Sequence, residues 1–307
     1  MPSSKSATKP KSSTTPPEPL HEWAFEAIGT QWWIGLYQSV SAGKLAAVRQ
    51  KIANRIEQFD KTYSRFRDDS LVTRIAQQAG TYHLPAEAAP LLKMYRKLYD
   101  ATDGQVTPLV GQLLAEAGYD AQYSLMPGEL RSVPSWDEVM TFEAGVLTTT
   151  QPLLLDFGAA GKGYLVDIIA AVLQHEGITS FCVDASGDMY CHGLSAPLKI
   201  GLENPDDPSQ VIGVVNVHDQ ALCGSAPNRR QWSSKYHHIM NPTSLASPQH
   251  IKALWVVADT ALLADGLTTA LFFAEPQQLK QFEFEHAILY ADGSMQCSKD
   301  FPAELFT

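Results

Sequence analysis

Three groups of residues in this 307-residue chain have types and spacings suited to chemistry. The first is DFGAAGKGYLVD, Asp156 to Asp167, which sets a carboxylate, a turn of small residues and a lysine where an expected strand, the aliphatic run Leu153 to Leu155, hands over to an expected helix. A lysine at a helix start adds a point charge where unpaired N–H groups and the helix dipole already favour an anion, so Lys162 is a candidate for a pyrophosphate and Asp156 for a ligand hydroxyl or amide. The glycine spacing is neither GxGxxG nor a Walker A motif, so dinucleotide-fold and P-loop labels do not apply. The second group is Asp265 and Thr269, four apart on an expected helix and therefore on one flank, with Thr268 beside them; such hard oxygens suit Mg²⁺. The third is the pair His237 and His238 after Tyr236. An imidazole can take a proton from a hydroxyl near neutral pH, and in a strand only one of two adjacent histidines faces a site.

The elements that must hold these groups follow from periodicity. Leu165, Ile168, Ile169, Val172 and Leu173 share a helical face and Gly177 stops that helix. Phe181 to Val183 predicts a strand opening into the acidic glycine turn DASGD, Asp184 to Asp188. Upstream, FEAIGTQWWIGLYQ alternates as one half-buried strand would, and leads to a helix with Leu45, Val48, Ile52, Ile56 and Phe59 inside. Tyr63 to Ser70 is a polar turn, Leu71 to Ala76 a short helix, and Ala86 to Thr102 a helix ended by Gly104. Residues 119–136 read as a surface excursion, and Val146 to Thr150 as a short strand. A helix capped by Asp259 carries Leu262, Leu263, Leu267, Ala270 and Leu271 on its core face. From the central motif onward, strands are expected to alternate with helices.

Composition narrows the class. A hydrophobic content of 45% supports a large core, and a formal charge of -10 without a Lys/Arg stripe argues against a nucleic-acid partner. Residues 1–20, rich in Ser, Thr, Pro and Lys, are expected to be a disordered tail. No apolar run resembles a secretory signal or a membrane span, and the first cysteine is Cys182, which predicts a cytoplasmic protein with no membrane anchor. Cys182, Cys191, Cys223 and Cys297 lack metal-site spacing and are expected to be unpaired thiols.

With FEAIGTQWWI, KIGLENPDDP (Lys199 to Pro208), YHHIMNP and LLADGLTTALF in order around the central motif, the chain resembles the ApbE family, the FAD:protein FMN transferases, over roughly Trp23 to Phe273. Strands alternating with helices predict a two-lobed α/β or α+β domain, and the resemblance implies an α+β, α/β-like fold, a single two-lobed domain over residues 21–307 with mixed sheets and flanking helices. It implies Mg²⁺ on Asp265, Thr268, Thr269 and the backbone oxygen of Ala159. It also implies FAD as substrate against Ile28, Phe66, Asp103, Gly104, Gln105, Asp156, Lys162 and Ile239, and His238 as general base. The partner implied is an acceptor flavoprotein presenting a Ser or Thr, with FMN transferred and AMP released. Cys223 falls in a loop that lies close to the flavin in relatives. Three stretches depart from the family pattern: Val106, Thr107 and Pro108 replace a Phe-Asp pair before a threonine, Thr243 to Leu245 replace a Thr-Gly pair, and the loop Cys223 to Arg230 has an extra proline and no acid after Gly224. Two other activities are compatible with the same residues, an Mg²⁺-dependent FAD pyrophosphatase and a flavin-binding protein without catalysis.

Overall fold

The computed structural model describes residues 18–306, so nearly all of the expected tail, and Thr307, lie outside the described residues. Helices form where the apolar period and capping agree. Helix α1 (Ala42–Tyr63) starts at Ser41, whose hydroxyl accepts from the Lys44 N–H, and buries Val48, Ile52, Ile56, Phe59 and Tyr63. Ser70 caps α2 (Leu71–Gln77) in the same way through Thr73, and α3 (Ala88–Ala101) buries Leu91, Leu92, Tyr95 and Leu98. Two short helices follow, α4 (Gly111–Glu116) and α5 (Trp136–Val139). The central motif opens α6 (Gly161–His175), and Gly177, at φ +68°, lets the chain turn away after it. Helix α7 (Ala261–Ala270) is buried on nearly every face and its N-cap is Thr260, not Asp259: the Thr260 side chain accepts from Leu263, and Asp167 of α6 accepts from the N–H groups of Ala261 and Leu262 at 2.9 and 2.8 Å.

The strands in chain order are β1 (His21–Ala27), β2 (Thr30–Leu36), β3 (Gly80–His83), β4 (Met140–Glu143), β5 (Val146–Thr149), β6 (Phe181–Asp184) and β7 (Asp188–His192). They continue with β8 (Leu198–Asn204), β9 (Asp207–Val217), β10 (Ala221–Ser225), β11 (Ile251–Ala258), β12 (Glu285–Tyr290), β13 (Met295–Cys297) and β14 (Ala303–Leu305). An eight-stranded sheet runs β1-β2-β6-β7-β10-β11-β12-β13, and two three-stranded sheets run β14-β9-β8 and β3-β5-β4.

The class is α+β, as expected, and every strand pairing among the described residues is antiparallel. Strands therefore do not alternate with helices after the central motif. Hairpins replace crossovers, because tight turns such as Ser186-Gly187 (φ +55° and +98°) reverse the chain at once. The same correction applies upstream. FEAIGTQWWI is two strands joined by a two-residue turn at Ile28 and Gly29, with φ +44° and +73°, instead of one. A β-branched residue in that region is strained, so Ile28 is held there by the hairpin and not by preference. Leu153 to Leu155 form no strand either. They pass between α2 and the 3-10 turn that starts at Pro108, with the Leu153 N–H bonded to the Ile75 carbonyl and the Asp156 N–H to that of Pro108.

Alternation along the large sheet divides the core in two. Phe181, Val183, Leu254, Val256 and Cys223 face α1, α3, α6 and α7. Cys182, Cys191, Leu222, Trp255 and Val257 face the β8-β9-β14 sheet through Leu202, Val215 and Val217. Each large side chain buried in these layers contributes about 1.5–3 kcal/mol of transfer free energy. The four cysteines are free, three of them buried and Cys297 exposed. No helix among the described residues is long and apolar enough to cross a membrane.

Candidate active site

The layered packing leaves a cavity of about 740 Å³ at the end of the large sheet where the β1–β2 and β6–β7 turns, the end of β10 and the start of α6 converge. A neighbouring cavity of about 430 Å³ shares Phe66, Asp156 and Lys162 with it.

Ala159, Asp265 and Thr269 all line the larger cavity, although 106 residues of sequence separate the first two. The Thr269 hydroxyl lies 3.4 Å from the Ala159 carbonyl oxygen, and the Ala159 N–H is held by the hydroxyl of Tyr95 at 3.1 Å. Asp265 is 5% exposed and accepts the Gly163 N–H at 2.8 Å through one oxygen. This bond requires α6 and α7 to touch. At Gly163 a Cβ would overlap the Ala261 carbonyl and come within 2.6 Å of the Asp265 Cβ, so only glycine permits the approach. Thr268 departs from the expected set. It is fully buried and does not line the cavity, because its hydroxyl donates to the Asp265 carbonyl at 2.7 Å and pairs with Ser225 at 2.9 Å.

Charge at this floor is concentrated. Lys162 forms an ion pair with Asp188 and donates to the Ala185 carbonyl at 3.1 Å. Burial opposes the Lys162 charge, but Asp188 and Asp265 outweigh it and hold the ammonium above its usual pKa. Burial first, and then Asp188, push the Asp265 carboxyl well up, with Lys162 acting in the opposite sense. Asp188 therefore takes the ammonium as its ion pair, and Asp265 acts on it as a second, unpaired acid nearby. One buried carboxylate, a backbone carbonyl and a hydroxyl are a hard-oxygen set that fits Mg²⁺, which retains water and substrate oxygens. No cluster of three or more His, Cys, Asp or Glu that could hold a metal ion occurs among the described residues.

The histidines do not lie in a strand; the pairing there is an isolated bridge between Gln231 and His237. His237 is locked, with its Nε2 bonded to the Pro248 carbonyl at 2.8 Å and its Nδ1 accepting from the Ile239 N–H at 3.3 Å. His238 lines the cavity and its Nδ1 is buried without a hydrogen-bond partner. Burial, then Arg230, His237 and Lys162, push its pKa down to about 3. Ile239 lines the cavity beside it.

The remaining expected contacts divide. Ile28 and Phe66 line the smaller cavity, and Gln105 lines the larger one while accepting from Asn241 Nδ2 at 2.5 Å. Asp103 and Gly104 line neither; with φ +50° and +83° they form the turn that ends α3, and the Asp103 side chain is exposed. Cys223 points away from the cavity into the core, towards the Ala261 carbonyl, and burial raises its thiol pKa. Val106 and Thr107 do line the cavity, so the departure from the family pattern alters its wall.

Several cavity residues carried no usable sequence signal. Arg65 bonds Asp156 through Nε at 2.5 Å while lying over the rings of Phe66 and Tyr119, at 4.1 and 4.9 Å. Asp156 thus arrives already paired, and it also accepts the Gly158 N–H at 2.7 Å. Asp188 was visible as the last residue of DASGD, but nothing local ties it to Lys162. Arg230 stands exposed on the short 3-10 turn Pro227–Arg230.

Together these features define an antiparallel α+β protein whose cavity, at one sheet end, is lined by the Lys162–Asp188 ion pair and the buried Asp265. The sequence model of the ApbE family matches residues 28–288, and the chain belongs to the ApbE family. Curated relatives named FAD:protein FMN transferase from Klebsiella pneumoniae and Vibrio cholerae are each 25% identical, over 90% and 80% of this chain and 86% and 78% of their own. Among solved structures, the ApbE protein of Thermotoga maritima superposes with a TM-score of 0.79 at 22% identity, covering 92% of this chain and 99% of that one. The flavin transferase ApbE of Vibrio cholerae gives 0.75 at 20% identity over 92% of this chain and 97% of its own.

Proposed function

We propose that this chain is an Mg²⁺-dependent FAD:protein FMN transferase, acting from residues 21–307 as one catalytic unit in the cytoplasm. The observation that carries the reading is the convergence of the Ala159 carbonyl, the Asp265 carboxylate and the Thr269 hydroxyl on the cavity that also holds Lys162 and His238. The names of the curated relatives support the same activity. Mg²⁺ held by these three oxygens would offset charge on the phosphate oxygens as the transition state forms. Lys162 adds a second cation at the start of α6, where the positive end of the helix dipole also favours an anion.

His238, uncharged at neutral pH, accepts the proton of an acceptor Ser or Thr hydroxyl. That oxygen bonds to the flavin-side phosphorus, and the bond from this phosphorus to the bridging oxygen breaks. AMP leaves with the bridging oxygen, and the acceptor keeps FMN as a phosphoester. The isoalloxazine and adenine would have two places to pack, the Ile28–Gly29 turn and the aromatic rings of Phe66 and Tyr119.

Incubating the chain with FAD, Mg²⁺ and host lysate tests the reading by mass spectrometry. A host protein gaining one FMN on Ser or Thr, with AMP released, is the expected result; AMP and free FMN at a rate unchanged by lysate would mean a pyrophosphatase instead. Asp265→Ala should lower the Mg²⁺-dependent rate by about 10²-fold or more, the size of loss seen when one stabilising group is removed from a transition state. Full activity in that variant would remove the metal assignment.

A further inference from the structure

One wall of the cavity plays no part in the chemistry at its floor. Six strands form the edges of the three sheets, namely β1, β13, β14, β8, β3 and β4. Among the described residues only β8 of these six lines the larger cavity, through four consecutive residues, Ile200 to Glu203. Successive side chains of a regular strand point to opposite faces, so Ile200, Gly201 and Leu202, which precede the register shift at Glu203, meet one cavity together where it reaches the strand's edge. Ile200 and Leu202 pack towards the second core, while Lys199 and Gly201 are exposed.

An edge strand presents N–H and C=O groups at alternate residues without a partner strand. Among the described residues β9 is the one strand that pairs with residues 198–203, and no other described backbone group bonds to this segment, so among them its outer side is open. Gly201 lies mid-strand, where glycine also marks close approach of another backbone. Packing against Val211 accounts for part of that choice, since a Cβ at Gly201 would come within 2.7 Å of the Val211 Cγ1.

The end of β8 is tied to the segment that carries the histidine. Glu203 pairs with Arg229 at 2.5 Å, Asn228 donates to the Pro205 carbonyl at 2.7 Å, and the His238 N–H donates to the Arg230 carbonyl at 3.1 Å. A chain laid along β8 is therefore registered against His238.

We propose that β8 is the docking strand for the acceptor: an extended segment of the partner protein adds to it as a new strand and so lays its Ser or Thr hydroxyl in the cavity. This rests on the transferase reading above. Backbone pairing supplies affinity without demanding a long sequence, and the hydroxyl supplies the chemistry.

The probe is the flavinylated segment of whichever host protein gains FMN mass, remade as a synthetic peptide of about ten residues, enough to span β8. Each backbone N–H in turn is replaced by N-methyl, and transfer is measured with the full chain loaded with FAD and Mg²⁺. Transfer should fall about tenfold, one backbone hydrogen bond, at every second position and hold at those between. Amide exchange over residues 198–203 should slow when the peptide is added. Transfer indifferent to N-methylation, a peptide that fails where its intact protein succeeds, or protection confined to the exposed Tyr123, Leu125 and Met126 loop would each overturn β8 docking and leave the transferase reading intact. If no host protein gains FMN, the transferase reading fails and the docking strand fails with it.

Discussion

His238 is the residue whose environment makes the sharpest demand. A general base works in its unprotonated form, which exists above its pKa. With the ring held down to about 3 by burial and by Arg230, kcat/KM should show no acid limb from this group between about pH 5 and 8. Diphosphate bound in the cavity that His238 lines would bring negative charge towards the ring and raise its pKa, so the acid limb of kcat should sit higher than that of kcat/KM. His238→Gln should lower transfer by about 10²–10⁴-fold while flavin binding, followed by fluorescence, changes far less. A limb near pH 6.5 in kcat/KM that disappears in the variant would contradict the buried environment. His237 has a different task, since both of its nitrogens are committed to the loop that presents its neighbour.

At the scale of elements, the contact between α6 and α7 decides whether the oxygens of Ala159, Asp265 and Thr269 meet. Gly163→Ala should push the helices apart, costing about 1–3 kcal/mol in stability by overpacking and weakening Mg²⁺ binding because Asp265 moves with α7. Thermal unfolding and Mg²⁺ titration check the two effects, and a variant of native stability would show that the helices can yield. Asp167 couples the same helices by capping α7, and burial raises its pKa to about 6 despite the two backbone N–H groups it accepts. A folded pKa above the unfolded value means that the folded chain holds the proton more tightly. The associated stability is complete below about pH 4 and is lost as pH rises through about 6. The wild-type midpoint measured against that of Asp167→Asn should therefore fall across this window, and a constant difference would refute the shift.

For the whole molecule, the cavity is shared between layers. Its walls come from the helical layer, the end of the large sheet and the β8 edge of the small one, so a ligand there contacts residues from both major cores. FAD with Mg²⁺ should raise the thermal midpoint in proportion to the logarithm of free ligand, about 2.7 kcal/mol of stabilisation at a hundredfold excess over Kd. Calorimetry across a ligand series checks this. A midpoint indifferent to FAD would mean that the cavity does not hold it.

The sequence by itself determined what neighbours within a few residues decide. The apolar period placed α1 and α6, Gly177 ended α6, and the four-residue spacing put Asp265 and Thr269 on one flank, because a helix repeats within one turn. It did not reveal the Ile28–Gly29 hairpin, since an isoleucine at positive φ lacks the Asn-Gly or Asp-Gly signal of such turns. Only the tertiary structure decided that Thr268 turns to Ser225, that Asp188 takes Lys162, that Arg65 takes Asp156 and that His238 is the cavity histidine. Those outcomes depend on sheet register and on how closely α6 and α7 pack, and strand order and layer contacts join residues too far apart in the chain for local spacing to encode.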